Sequence, residues 1–273
     1  MNQLRGVILL LLMLAVLLSF DLFANEVIPE SLPSTVTAEN VYRFDQENSK
    51  FSFTKFEPTY LVYGEPLTKL QFSFKYQLFV DEEIFFGYAQ LIFWDLGAAS
   101  SPIVDVNYAP NLFYQWEFNR AFLKSIDISP FGHVSNGRYG ADSRGYNIAY
   151  LQVNALASLF NNTLSVSARL SKLYDIEDTN SDITEFISPL ELKILLTEFF
   201  PRVFDRGELY FRIFPGGSYG QYWDQGGQEI GLSFRPSGIK IIPAFFVQYY
   251  GGFAESLLFY KRQESLTRFG VIF

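Results

Sequence analysis

The sequence predicts an all-β protein, an antiparallel transmembrane β-barrel of about 12 strands, from three observations. Hydrophobic residues make up 49% of the 273 residues and include 30 Phe and 17 Tyr. Apolar and polar residues alternate over many short stretches, which is the period of a strand with one apolar and one polar face. Beyond the N-terminal run, no apolar stretch is as long as a membrane-spanning helix, so strands must carry the apolar residues.

The N-terminal residues 1–24 are predicted to be a signal peptide. One basic residue, Arg5, precedes an apolar run over residues 7–20, and the small residue Ala24 offers a cleavage site. The alternative is a retained anchor, but the run is shorter than the ~20 apolar residues of a spanning helix. Residues 25–66 contain several prolines and little alternation, so they are predicted to form a periplasmic or lumen-facing segment.

Residues 67–273 are predicted to form the barrel. Alternation is clearest over residues 71–80, 163–171 and 208–213. Further strands are predicted near residues 84–95, 107–119, 122–135, 147–157, 190–200, 228–235, 239–250, 255–262 and 266–273. These lengths are close to the ~9–11 residues that a tilted strand needs to cross a bilayer.

A soluble β-sandwich or lipocalin-like barrel is the alternative, because its strands also alternate. Three features favour the membrane: the predicted signal peptide, an excess of Phe and Tyr suited to interfacial girdles, and an alternating final strand that ends in Phe273. Barrel closure pairs every strand edge, which lipid requires because it cannot hydrogen-bond a free amide. We therefore expect a multi-pass protein of the bacterial outer membrane.

Charge and cysteine content exclude several classes of function. The formal charge is −8 with an isoelectric point near 4.8, and no Lys/Arg cluster stands out, so nucleic acid is not an expected partner. The chain has no Cys, which excludes disulfides, thiolate metal sites and a Cys nucleophile.

The single histidine, His133, is the strongest candidate for chemistry. A strand over residues 122–135 places His133 and Ser135 on one face, and a loop then returns Asn147 beside His133. A Ser, His and Asn together match an activated nucleophile, its base and the group that orients the base. The alternative is a hairpin turn at Asn136-Gly137 and a histidine that belongs to a girdle or the lumen.

The same stretch resembles the active-site signature of the bacterial outer membrane phospholipase A family. That signature is His-x-Ser-Asn-Gly-Arg followed by Ser-Arg-x-x-Asn, and residues 133–138 and 143–147 match it with the spacing intact. Weaker similarities occur in residues 88–90, 100–113, 180–183, 192–194, 255–257 and 267–271. The resemblance covers about residues 51–273.

The resemblance implies a calcium-dependent phospholipase (A1/A2 and lysophospholipase) that hydrolyses acyl esters of membrane phospholipids as a homodimer. It assigns Ser135 as nucleophile, His133 as general base and then acid, and Asn147 as the group that orients His133. It also assigns the Gly137 amide to the oxyanion.

The resemblance further implies a calcium ion near the oxyanion. Its ligands would be the main-chain oxygen of Arg138 and the Ser143 hydroxyl of one subunit, with Ser100 of a partner subunit. Gln90 matches a family position on the lipid face that contacts its mate across the dimer.

Two other functions stay open. A lipid A 3-O-deacylase shares a His-x-Ser-Asn arrangement, but it uses a carboxylate as the third group and a smaller barrel, so Asn147 favours the phospholipase. A non-catalytic porin-like barrel would need no Ser-His pair and should have a charged constriction loop, which the sequence does not reveal.

Overall fold

The computed structural model describes residues 53–79, 82–118, 120, 122–159, 162–187, 189–198, 203–238 and 243–273. The predicted signal peptide and most of the predicted N-terminal segment, up to residue 52, lie outside these ranges.

Strands make up most of the described chain, because the alternating stretches pair with one another. The strands are β1 (Phe53–Thr54), β2 (Tyr60–Tyr63), β3 (Thr68–Phe79), β4 (Glu82–Trp94), β5 (Ile103–Glu117), β6 (Leu123–Ser135), β7 (Gly145–Leu159), β8 (Asn162–Tyr174), β9 (Leu190–Thr197), β10 (Phe204–Gly216), β11 (Tyr222–Pro236), β12 (Ala244–Gly252) and β13 (Glu264–Ile272). Short 3₁₀ helices occupy Gly140–Asp142, Asp178–Asn180 and Ile183–Glu185. Over the ranges given above, no helix is long and apolar enough to span a membrane.

Strands β2 to β13 form a closed ring of 12 antiparallel strands, which confirms the predicted fold class. Each strand pairs with its neighbours in sequence, and β13 closes the ring by pairing with β2. The short β1 pairs with the same edge of β3 as β2, so β1 and β2 together act as one interrupted strand. Among the strands that the structure describes, closure leaves no long free edge, as a barrel in lipid requires.

The strand predicted over residues 255–262 is wrong, and the ring contains β2 instead. Residues 255–262 form turns that fold into the barrel, where Glu255 accepts hydrogen bonds from Lys69 and Arg268. Buried polar groups need such partners, and these lie inside the lumen. Strand β2 is only four residues long and lies between Pro58 and Pro66. So short a stretch shows no clear alternation of apolar and polar residues, and the sequence therefore does not predict it as a strand.

The lumen is lined by polar and charged side chains that pair with one another. Lys69 contacts Glu229 and Glu255 at 3.2 Å, and Arg268 forms a bidentate pair with Glu255 at 2.6 and 3.0 Å. Just before β2, Glu57 also points inward and accepts a hydrogen bond from Lys193 at 2.6 Å. Burial of these charges is tolerated because each is paired.

The outer surface carries a band of exposed apolar side chains. Tyr63, Phe72, Trp116, Phe131 and Phe269 are all exposed on the strands. On β5 the polar Asp105 and Asn107 face the interior. The wall is thus apolar outside and polar inside, as expected for a barrel surrounded by lipid.

Candidate active site on the outer wall

The candidate site lies where β6 ends and β7 begins. The two strands pair so that His133 lies opposite Asn147 and Ser135 lies opposite Gly145. His133 is exposed on the outer face with Phe131, whereas Val134 packs inward against a cluster that includes Tyr146. His133, Ser135 and Asn147 are thus neighbours on the face that meets lipid.

A bulge in β6 determines which face carries these residues. Before the bulge the odd-numbered Asp127 and Ser129 face inward, and after it the odd-numbered His133 faces outward. The register shifts by one residue between Ser129 and Gly132 relative to β7, and β6 also shifts relative to β5. One extra residue in a strand reverses the side-chain alternation beyond it.

His133 and Asn147 are directly hydrogen-bonded, with 2.8 Å between His133 Nδ1 and Asn147 Oδ1. An amide oxygen can only accept, so Nδ1 must carry the proton. In the neutral ring, Nε2 is then the basic nitrogen. This is the tautomer that a general base needs if it is to take a proton through Nε2.

The opposite end of Asn147 contacts a residue that the sequence reasoning missed. Asn147 Nδ2 donates to Asp175 Oδ2 at 3.0 Å. Asp175 directly follows β8, and Tyr174 pairs with Asn147 in the ladder. Leu159 pairs with Asn162 in the ladder between β7 and β8, so the register counted from this pair would have placed residue 175 beside Asn147.

The loop after Ser135 is organised by Asn136, which is almost completely buried. Its Oδ1 accepts from the main-chain N–H groups of Arg138 and Arg144, and its Nδ2 donates to the Asp142 carbonyl. Gly137 has a φ of +65°, and a Cβ atom there would lie 3.0 Å from the Tyr108 ring. A glycine is therefore favoured at the position predicted to bind the oxyanion.

Ser143 has a carboxylate partner that was not predicted. Ser143 Oγ donates to Glu177 Oε2 at 2.6 Å. A Cβ atom at Gly145 would lie 2.7 Å from Glu177 Oε1 and 3.5 Å from Ser135 Cβ, so the carboxylate lies against the main chain beside Ser135, the predicted nucleophile. No sequence pattern marked Glu177, because its contact with Ser143 spans 34 residues.

The other two predicted calcium ligands, Arg138 and Ser100, lie on different connections of the barrel. Arg138 is exposed, and its guanidinium contacts the Val104 carbonyl on β5. Ser100 lies in the connection between β4 and β5, is exposed, and has a φ of +65°. It is thus on a separate connection from the Arg138–Ser143 loop of its own chain.

The donors fit a calcium ion by their chemistry. In the residues that the structure describes, no three His, Cys, Asp or Glu side chains are grouped to hold a metal. The predicted set instead uses hydroxyl and main-chain oxygens, to which Glu177 adds a carboxylate beside Ser143. Hard oxygen donors of these kinds are the ligands that Ca²⁺ takes.

Gln90 lies on β4, as predicted, and is hydrogen-bonded within its own chain. Tyr88 Oη donates to Gln90 Oε1 at 3.0 Å. Both residues have the same parity on the strand and therefore share a face.

Asn180 holds the start of β7 in place. Its side chain is completely buried, accepts from Gly145 N at 3.1 Å and donates to Gly145 O at 3.2 Å.

Nearby, Asp182 contacts Lys261 at 2.6 Å. Burial raises the pKa of the Asp182 carboxyl, but hydrogen bonds from Lys261 and Tyr260 lower the pKa by more, so it lies below its ordinary value.

The closed barrel and its apolar outer band define an outer-membrane β-barrel. The His133–Asn147 pair, with Ser135 beside it, gives this barrel a polar site on its lipid-facing wall. The family model described as Phospholipase A1 matches residues 37–273. The chain therefore belongs to the phospholipase A1 family and is a protein of the bacterial outer membrane.

Individual relatives agree with this assignment. The phospholipase A1 of Salmonella typhimurium (strain LT2) is 28% identical over 192 residues, which cover 68% of this chain and 60% of that protein. The matched part thus spans less than two thirds of that relative.

Two solved structures share the fold. Outer membrane phospholipase A from Escherichia coli has a TM-score of 0.67 at 24% identity, covering 84% of this chain and 94% of that one. The Salmonella typhi outer membrane phospholipase, solved as a dimer with bound calcium, has a TM-score of 0.67 at 25% identity, covering 83% and 94%.

Proposed function

We propose that this protein is a calcium-dependent phospholipase A that hydrolyses acyl esters of membrane phospholipids and is active as a homodimer. The observation that carries the proposal is the 2.8 Å contact between His133 and Asn147, with Ser135 beside them on the lipid-facing wall. Membership of the phospholipase A1 family supports the choice of substrate.

In the proposed reaction, Ser135 Oγ attacks the ester carbonyl while His133 Nε2 removes its proton. Asn147 keeps the other ring nitrogen protonated throughout. The imidazolium then gives its proton to the departing lysophospholipid oxygen, which leaves an acyl-Ser135 ester. His133 next takes a proton from water, whose oxygen attacks the acyl ester, and returns a proton to Ser135 as the fatty acid leaves.

The developing oxyanion would be bound by the Gly137 amide. Calcium, when bound, supplies positive charge close to this oxyanion. On this proposal the ion would be held by Ser143, the Arg138 carbonyl and Ser100 of the partner subunit. Glu177 joins this set because its carboxylate already contacts Ser143.

The match to the phospholipase A1 family and the identity of Asn147, the group that contacts His133, argue against a lipid A 3-O-deacylase and against a porin-like barrel. A lipid A 3-O-deacylase is expected to place a carboxylate on the histidine, whereas His133 contacts an amide oxygen. A porin-like barrel would have no use for that contact.

The test is hydrolysis of a diacyl phospholipid by the purified protein in detergent, with calcium or with a chelator. We expect calcium-dependent release of fatty acid, and a loss of at least about 10³-fold in Ser135→Ala. Ser158→Ala, which changes an exposed serine far along β7, serves as the matched control and should retain activity. Equal activity of Ser135→Ala and the wild type would refute the proposal. Analysis of the lysophospholipid products separates A1 from A2 cleavage.

A further inference from the structure

We infer that Asp175 is a positioning residue that holds the Asn147 amide with its oxygen towards His133. The proposed active group would then have four members in a row: Ser135, His133, Asn147 and Asp175. The inference deepens the proposed function and rests on it, but the orientation of the amide can be measured without any turnover.

The geometry shows Asn147 bonded at both ends of its side chain. Its Oδ1 lies 2.8 Å from His133 Nδ1, and its Nδ2 lies 3.0 Å from Asp175 Oδ2. A carboxylate offers only acceptors, so the end of the amide that faces Asp175 must be the NH₂ group. The oxygen is thereby left for His133.

An asparagine in this role needs such a partner, because its amide is not symmetric. Rotation of the terminal group by half a turn exchanges oxygen and nitrogen and would aim a donor at His133 Nδ1. The neutral ring would then carry its proton on Nε2 and could not accept the proton of Ser135. A carboxylate has two equivalent oxygens and does not meet this difficulty.

The backbone of Asp175 is shaped for this contact. Its φ is +47°, in the left-handed region that few residues other than Gly, Asn and Asp adopt. The segment that follows is anchored to the start of β7, because Glu177 N donates to Gly145 O at 3.0 Å. A glycine would adopt this backbone conformation at less cost, so the Asp175 side chain that contacts Asn147 is held at a strained position.

The decisive measurement uses the fact that His133 is the only histidine in the chain. Protein without a histidine tag, labelled with ¹⁵N-histidine and folded in detergent micelles, gives one pair of imidazole nitrogen signals. The wild type should show protonated Nδ1, whereas Asp175→Gly should show a substantial population with protonated Nε2. Asp178→Ala, a change of an exposed acidic residue in the same segment, should match the wild type. An unchanged tautomer in Asp175→Gly would overturn the inference.

Kinetics provide a second and independent test. We expect Asp175→Gly to lower kcat about 10-fold with little change in KM, which is less than the roughly 10²–10⁴-fold contribution of a general base itself. In an Asn147→Asp background the third group needs no orientation, so Asp175→Gly should cause no further loss. Equal losses in both backgrounds would mean that Asp175 serves only the fold. If the wild type failed to hydrolyse phospholipid, the proposed function would fall, while the tautomer measurement would still decide the role of Asp175.

Discussion

The absence of a side chain at Gly145 shapes the surroundings of Ser135. It lets the Glu177 carboxylate lie against the main chain of β7 while it accepts the Ser143 hydroxyl. The sequence predicted that His133, Ser135 and Asn147 lie together, because their spacing on one hairpin is local. It did not locate Asp175 or Glu177, because their contacts depend on the register of the next hairpin and on a left-handed turn after β8.

Replacement of Glu177 by Gln tests its role toward the metal. Loss of a formal charge from an oxygen ligand should weaken calcium binding by roughly 10-fold or more. Calcium titration by calorimetry, with terbium luminescence as a second readout, measures the change directly. Glu185→Gln, at an exposed position on a neighbouring 3₁₀ helix, is the control. Identical calcium affinity in Glu177→Gln and the wild type would remove Glu177 from the ligand set.

At the scale of elements, the β6 bulge is the feature that periodicity could not predict. Unbroken alternation from residue 123 to 135 would put Ser129 and His133 on one face, yet Ser129 faces the lumen and His133 faces outward. The same limit applies to residues 255–262, for which the sequence predicts a strand. Polar partners inside the barrel, not the local pattern, decide where that segment lies.

Asn180 links two elements, and its removal should disturb both. In Asn180→Ala the main-chain N–H of Gly145 loses its buried acceptor, and its C=O keeps only the Glu177 N–H, which should cost about 1–3 kcal/mol of unfolding free energy. Activity should also fall, because the start of β7 carries Asn147. Urea unfolding of the protein folded in lipid vesicles, with hydrolysis measured in parallel, provides the test. Gln263→Ala, in an exposed turn, is the control; equal stability of Asn180→Ala and the control would contradict this role.

At the scale of the whole molecule, the proposed site is shared between two copies. Ser100 lies on the connection between β4 and β5, whereas Ser143 lies on the connection between β6 and β7. Sequence alternation predicted a closed barrel, since every strand must pair in lipid, but the count of 12 included residues 255–262 in place of β2. It could not reveal which part of the apolar band would contact a second barrel, because the whole band is also suited to face lipid.

Mixed dimers test the shared site. Ser135→Ala and Ser100→Ala homodimers should each be nearly inactive, but a mixed dimer contains one intact site. Random association of equal amounts should therefore restore about a quarter of wild-type activity, because half of the dimers are mixed and each has one site of two. Hydrolysis measured before and after subunit exchange, with cross-linking to count dimers, detects this recovery. Activity that stays at the sum of the two homodimers would show that Ser100 does not complete the partner's site.

The outward placement of His133 and the strongly exposed Phe131 also determines how a substrate would be supplied. A lipid reaches this wall by lateral diffusion within its own leaflet and need not leave the membrane. The concentration that sets the rate is then the mole fraction of that lipid in the surface, not its amount per volume of water. Dilution of the suspension would leave turnover unchanged, whereas inert amphiphile mixed into the same surface would slow it.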